Sequence, residues 1–135
     1  QLHKELMPDE IYALFIKEYV NIKTPIEFIN YRFTQHDDYQ TIVTVRIGDE
    51  VKEFTGMGNG RLDAISDALQ TNLGMAYTNL IYKEHAMEIG SGSQAVSYIG
   101  ITASDSAEYW GCGIDVDIMT SSIKALFSAV NKMGL

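Results

Sequence analysis

The chain has 135 residues, 46% apolar and 21% charged, which suffices for one sizeable core and is too apolar for a disordered segment. A net charge of −8 and a pI near 4.7 argue against a nucleic-acid partner, since a phosphate backbone is met by a basic face. No apolar run is long enough to span a bilayer and no signal peptide opens the chain. A single cysteine, Cys112, rules out an internal disulfide and fits a reducing compartment.

In chain order, Gln1 to Met7 is a lead-in. Pro8-Asp9-Glu10 then opens a helix, with proline tolerated in the first turn and acids facing its positive end. Ile11, Phe15, Tyr19 and Ile22 make an apolar stripe at helical spacing, and Pro25 ends it. The helix has no counterpart later in the chain, and the abrupt start at Gln1 favours a fragment. Ile26 to Gln35 alternates as a strand, His36-Asp37-Asp38 turns, and Thr41 to Ile47 is a β-branched second strand. Gly48-Asp49-Glu50 leads into a third strand, Val51 to Thr55. The next helix carries Leu62, Ile65, Leu69 and Leu73 on one face and stops at Gly74.

The second half repeats the order. Ala76 to Met87 is expected as a strand with Ala76, Leu80, Tyr82 and Ala86 on one face. Gly90-Ser91-Gly92-Ser93 is a flexible link, and Ala95 to Thr102 and Glu108 to Cys112 are strands. The last helix puts Met119, Ile123, Leu126, Val130 and Met133 on one face, with Asp115 or Asp117 as its cap. The fold expected is α+β: two β-β-β-α repeats, about residues 25–74 and 75–135, packed as one domain behind a short helix.

Two glycine stretches organise both halves. Glu53, Phe54, Gly56 and Gly58 align without gaps on Glu108, Tyr109, Gly111 and Gly113, the second copy running two residues longer before its helix. Glycine at a strand-to-helix turn reaches backbone angles closed to other residues and lets a ligand approach. The helix start that follows offers free N–H groups and partial positive charge to a small anion. Gly60 in particular is expected to have backbone angles, or a close ligand, that a side chain would spoil. A phosphate loop is a weak alternative, because Arg61-Leu62 follows the last glycine where a lysine and a hydroxyl are required. No catalytic constellation stands out, and His3, His36 and His85 lack the spacing of a metal site. Cys112, in a tight turn with no basic neighbour, reads as a small buried residue rather than a nucleophile.

Further motifs are Tyr82-Lys-Glu-His-Ala-Met, Gln94-Ala-Val-Ser-Tyr-Ile-Gly-Ile, Trp110-Gly-Cys-Gly-Ile-Asp and Ser122-Ile-Lys-Ala-Leu-Phe-Ser-Ala-Val-Asn-Lys. With Gly56-Met-Gly-Asn-Gly and Leu6-Met-Pro, they resemble the C-terminal regulatory domain of the 2-isopropylmalate synthases, which the citramalate synthases share. The resemblance implies that residues 1–24 are the end of a linker subdomain and that residues 25–135 are an amino-acid-binding regulatory domain. It implies L-leucine as feedback inhibitor, bound at the interface of a homodimer; a citramalate synthase would take isoleucine instead. It further implies a separate TIM-barrel catalytic domain of the same chain, using a divalent metal and acetyl-CoA, in a cytoplasmic enzyme of leucine biosynthesis. The fragment alone would then have no catalytic residues, cofactor or metal of its own. Carried onto this sequence, the effector pocket falls on Gly58, Gly60, Leu62, Tyr82, Ala86, Ser93 and Ile118, with Arg61 where the family usually has proline. A dimerisation module without a ligand is the rival reading.

Overall fold

The computed structural model describes residues 20–35, 37–89 and 92–134, without the side chains at 79, 83–89, 92 and 93. The elements follow the order β1 (Ile26–Gln35), β2 (Tyr39–Ile47), β3 (Glu50–Gly58), α1 (Arg61–Leu73), β4 (Tyr77–Ile89), β5 (Gly92–Ala103), β6 (Glu108–Asp115) and α2 (Ile118–Met133). The fold is α+β, with two β-β-β-α units. Each unit holds an antiparallel three-stranded sheet, β1-β2-β3 and β4-β5-β6.

Alternation along the strands sets one face of each sheet inward. On β2, Thr41, Val43 and Val45 are buried, and on β5, Ser97, Ile99 and Ile101 are. Helix α1 covers β3 and β2, and α2 covers β6 and β5 and reaches β1. Ile26, Val43, Val45 and Phe54 share one core with Ile65 and Leu69 of α1, Ile99 and Ile101 of β5, and Ile123, Leu126, Phe127 and Val130 of α2. The two repeats therefore close a single core that neither closes alone. The outer face of the first sheet mixes exposed apolar residues, Val51 and Met57, with cross-strand ion pairs, Arg32 to Glu53 at 3.8 Å and Arg46 to Glu27 at 3.5 Å. Among the described residues no helix is long and apolar enough to cross a membrane.

The paired glycines have a mechanical explanation. Gly56 and Gly58 lie inside β3, and Gly111 and Gly113 inside β6, not in the turns that follow. A Cβ added at Gly56 would fall onto the backbone of Ala64 and Ala68 of α1, and one at Gly58 would come within 2.8 Å of the Ala64 nitrogen. At Gly111 and Gly113 an added Cβ would strike the backbone of Ala125 and Ala129, and of Ser121 and Ala125, respectively. Each helix thus lies directly on its strand, glycine against a stripe of small residues. That contact requires the four glycines and corrects their reading as turn residues. Glycine interrupts a strand pattern on paper, so β3 and β6 were expected to end three residues early.

Three further expectations change. Val20 makes a parallel bridge to Cys112, and residues 21–24 are irregular, so the helix expected to reach Ile22 does not continue through Val20–Thr24. On β4, Tyr77 is buried and Ala76 exposed, and one extra residue sits between Thr78 and Ile81. That bulge shifts the pleat and breaks the single face drawn through Ala76. Finally, Gly92 and Ser93 belong to β5 rather than to a link, pairing with Ile89 and Glu88. The caps agree with expectation: Gly74 ends α1 at φ 66°, in the left-handed region, and Asp117 caps α2.

Candidate functional site

The two helix starts repeat in topology and differ in chemistry. At α2, the Asp117 carboxylate accepts from the Thr120 N–H and hydroxyl, both at 2.8 Å. Those donors hold its pKa below the ordinary 3.8. The start of α2 is therefore filled by the protein's own anion. At α1, the capping position is Gly60, which has no side chain and makes no cap hydrogen bond, so among the described residues the first N–H groups of the helix have no side-chain cap. Gly60 itself is extended, with φ −131° and ψ 171°, angles open to any residue. Neither backbone angle nor a helix packed against it demands glycine here, whereas helix contact does at Gly56 and Gly113. Among the described residues, its near neighbour for an added Cβ is Asp63 Oδ2, at 3.3 Å.

Directly in front of this uncapped start lies an open hollow of about 520 Å³, within the ~300–1,000 Å³ range of ligand clefts. Both repeats line it. Tyr39, Gly60, Arg61, Leu62 and Asp63 come from the first, and Leu80, Tyr82, Met119 and Ser122 from the second. The Arg61 guanidinium sits 5.8 Å from the Phe33 ring centroid and 5.7 Å from that of Tyr39, which holds a cation at the rim. Leu62, Leu80 and Met119 supply apolar wall.

Two hydroxyls of the wall, Tyr82 and Ser122, lead into a cluster of buried serines. Ser122 Oγ donates to the Ile118 carbonyl at 2.9 Å. Tyr82 at 2.9 Å and Ser97 at 3.1 Å also bond to Ser122 Oγ, with either oxygen of each pair able to donate. Ser121 continues the cluster, 2.8 Å from Ser97 Oγ and 2.9 Å from the Gly113 carbonyl. Among the described residues, no buried side-chain nitrogen or oxygen lacks a partner.

Of the residues assigned to the pocket from sequence, the structure brings Gly60, Leu62 and Tyr82 to this hollow. Ile118 stands beside it at the start of α2, 41% exposed, with its carbonyl tied to Ser122. Gly58 lies two residues before Gly60 at the end of β3, and the contact with α1 accounts for its lack of a side chain. Ala86 and Ser93 are placed only by backbone register, opposite Ala95 and Glu88; their side chains lie outside the described residues. Leu80, Met119, Ser122 and Tyr39 were not foreseen as lining, because no local spacing links β4 to the first turn of α2. Other chemistry is sparse. No group of three metal-ligating side chains occurs among the described residues. Of the three histidines, His3 and His36 lie outside the described residues, as does the His85 side chain. Cys112 is 3% exposed and burial pushes its thiol up to about 11, as suits an inert packing residue.

A second feature lies at the far end of α2. Ser128 Oγ accepts from the Ile22 N–H at 2.8 Å. Asn131 Oδ1 accepts from the Ile26 N–H at 2.9 Å, while its Nδ2 donates to the Ile22 and Ile26 carbonyls, both at 2.8 Å. Asn21 completes the attachment on β6, exchanging bonds of 3.0 and 3.2 Å with the backbone of Ile114. The Ser-Ala-Val-Asn motif thus clasps Ile22 and Ile26 to α2, while Val20 and Asn21 are held on β6.

Comparison with known proteins agrees with this architecture. A 2-isopropylmalate synthase of Desulfitobacterium hafniense is 62% identical over 132 residues, 98% of this chain and 24% of that protein. One of Helicobacter hepaticus is 39% identical over 97% of this chain and 25% of its own length. One of Saccharomyces cerevisiae is 32% identical over 98% of this chain and 23% of its own length. The chain spans about a quarter of the length of these relatives. The family model described as the LeuA allosteric (dimerisation) domain matches residues 5–134, and with it the chain belongs to that family.

Proposed function

We propose that this chain is the effector-sensing part of a 2-isopropylmalate synthase and binds L-leucine in the hollow between the two repeats, as a feedback inhibitor. The observation that carries the reading is the asymmetry of the helix starts. The start of α1 is uncapped and opens into the hollow, whereas that of α2 is filled by Asp117. An α-amino acid has three parts to place. Its carboxylate suits the free N–H groups at Gly60 to Leu62, with the Arg61 charge at the rim. Its ammonium suits the Tyr82 oxygen and the Asp63 carboxylate. Its branched side chain suits Leu62, Leu80 and Met119, with Ile118 beside them. Gly58, Ala86 and Ser93 complete the proposed pocket from the strands.

The hollow is open in one copy, whereas a ligand cleft covers most of its ligand. A second copy related by a two-fold axis would cover it, in keeping with the family's dimerisation role. The condensation chemistry, with its divalent metal and acetyl-CoA, belongs to a catalytic barrel elsewhere in a cytoplasmic enzyme, and this chain has no synthase activity of its own.

Calorimetric titration tests the reading, with L-leucine, L-isoleucine and a nucleotide as titrants. Heat with leucine supports it; heat with isoleucine alone reassigns the chain to the citramalate synthase relatives. No heat with any of them leaves a dimerisation module without a ligand, and nucleotide heat points to phosphate at the glycine stretch. Leucine and isoleucine differ by one branch position, worth only ~1–3 kcal/mol to an apolar wall, so the ratio of affinities is the quantity to read. Sedimentation at micromolar concentration should show a dimer; a monomer with and without leucine would sink the shared-site reading.

A further inference from the structure

Helix α2 touches both features described above. Its first turn contributes Met119 and Ser122 to the hollow. Its last turns contribute Ser128 and Asn131 to the clasp on residues 22–26. Six and nine residues separate Ser122 from these, about 9 and 14 Å along the axis at ~1.5 Å per residue. We infer that α2 reads out occupancy of the hollow at residues 20–26, with Ser128 and Asn131 as the coupling residues. The inference rests on the reading of the hollow as an effector site.

Three observations make the helix a transmitter rather than a passive cover. First, its backbone meets β6 at Gly111 and Gly113 with no intervening side chain on the strand. A shift of the first turn therefore cannot be absorbed by rotamer changes on β6 and must move the helix as a body or slide it along the strand. Second, Ser122 on the first turn of α2 bonds to both Tyr82 of β4 and Ser97 of β5, so a ligand that engages Tyr82 acts on a residue of α2 itself. Third, the clasp joins α2 to the segment before β1 by four directional hydrogen bonds, so a displacement of α2 changes their geometry at Ile22 and Ile26. Ser128 Oγ also stands 3.4 Å from the Cys112 carbonyl, which accepts from the Asn21 N–H at 2.9 Å, so the clasp and the β6 edge move together. Residues 20–26 connect what precedes Val20 to β1 and are the covalent path by which a change in the clasp leaves the domain.

Amide exchange on the chain, with and without saturating L-leucine, tests the inference at the Ile22 and Ile26 N–H groups. Leucine is expected to slow exchange there about fivefold or more. Ser128→Ala removes one clasp bond far from the hollow. It should bind leucine within about twofold of the parent while losing the leucine effect on Ile22 and Ile26. Asn131→Ala should do the same with faster basal exchange at both amides. Absence of leucine binding to the parent would overturn the effector reading and this inference with it. Normal binding with Ile22 and Ile26 indifferent to leucine would overturn the inference alone, as would Ser128→Ala retaining the full leucine effect. The parent measurement decides the matter even if a variant does not fold.

Discussion

Replacing Gly60 by aspartate separates the binding role of the α1 start from its structural role. The backbone at Gly60 is extended, and among the described residues an added Cβ meets only Asp63 Oδ2 at 3.3 Å. Aspartate is among the best capping residues, and gains a few tenths of a kcal/mol over glycine at such a position. Against this stands repulsion from Asp63, of the order of 1 kcal/mol for exposed charges. The fold should change in stability by no more than about 1 kcal/mol. Binding is another matter, because the new carboxylate would take the N–H groups offered to the effector's carboxylate. Two like charges about 4 Å apart repel by about 4 kcal/mol at an effective dielectric near 20. That is roughly a thousandfold in affinity, at about 1.4 kcal/mol per factor of ten.

Calorimetry with L-leucine and thermal unfolding on the same Gly60→Asp sample provide the assay. The expected result is a folded dimer with binding lost. Gly60→Ala is the control for size, adding a methyl group without charge, and should weaken binding by no more than about tenfold. In the full synthase, Gly60→Asp should give an active enzyme that leucine no longer inhibits. A folded Gly60→Asp variant that binds leucine as tightly as the parent would show that the hollow in front of α1 is not the effector site.

Three other outcomes are expected. Gly113→Ala should lower the free energy of unfolding by about 3 kcal/mol, read from the urea midpoint, because its Cβ would overlap the backbone of Ser121 and Ala125; a loss under about 1 kcal/mol would show that α2 is free to lift off β6. Cys112, with its thiol near pKa 11, should be about 0.1% thiolate at pH 8 and resist iodoacetamide in the native chain while reacting fully in urea; rapid native labelling would contradict its burial. Asp117→Ala should cost about 1 kcal/mol at neutral pH through loss of the α2 cap. Because the folded pKa of Asp117 is depressed, this stabilisation is complete above the ordinary carboxylate value of 3.8 and disappears as pH falls through the lower folded value. Urea curves of parent and variant should therefore converge in acid, and a constant gap down to pH 2 would assign the effect to packing instead.

The sequence shows the architecture well where periodicity and repetition carry it. The spacing of Gly56 and Gly58 against Gly111 and Gly113 reveals two like units, and the Leu62-Ile65-Leu69-Leu73 stripe finds α1. What it misses depends on three-dimensional contact. Gly58 and Gly113 look like turn residues because the helix that excludes their side chains arrives later in the chain. Tyr77 appears off the buried face of its strand because the extra residue between Thr78 and Ile81 changes the pleat, and no turn residue marks it. Ser128 and Asn131 stand in a motif that is easy to notice, yet their partners lie about a hundred residues away at Ile22 and Ile26. For the candidate site, Gly60, Leu62 and Tyr82 come from the family resemblance, and the helix start points separately to the turn at Gly60. Ser122 emerges only once β4 and the first turn of α2 are seen side by side.

The repeat invites the expectation of two equivalent binding sites, one at each helix start, and the structure argues against it. The interlocking glycines serve the same packing in both halves, so they explain why the halves look alike without assigning either a ligand. The difference begins after the shared glycines, in the residues that lead into each helix. Asn59-Gly60 brings α1 to its start with no side-chain cap, while the longer Ile114 to Asp117 brings α2 to its start with a carboxylate already bound. The extra residues also place Asp115 where its side chain accepts from the Asp117 N–H at 2.9 Å and from Lys124 Nζ at 3.0 Å, which fixes the cap in position. One helix start is thus capped by a side chain of the fold and the other, at Gly60, is not. In a domain whose two halves share a core and a strand-to-helix contact, that inequality is the strongest physical reason to place the effector at α1 and to give α2 the different task of carrying its consequence away.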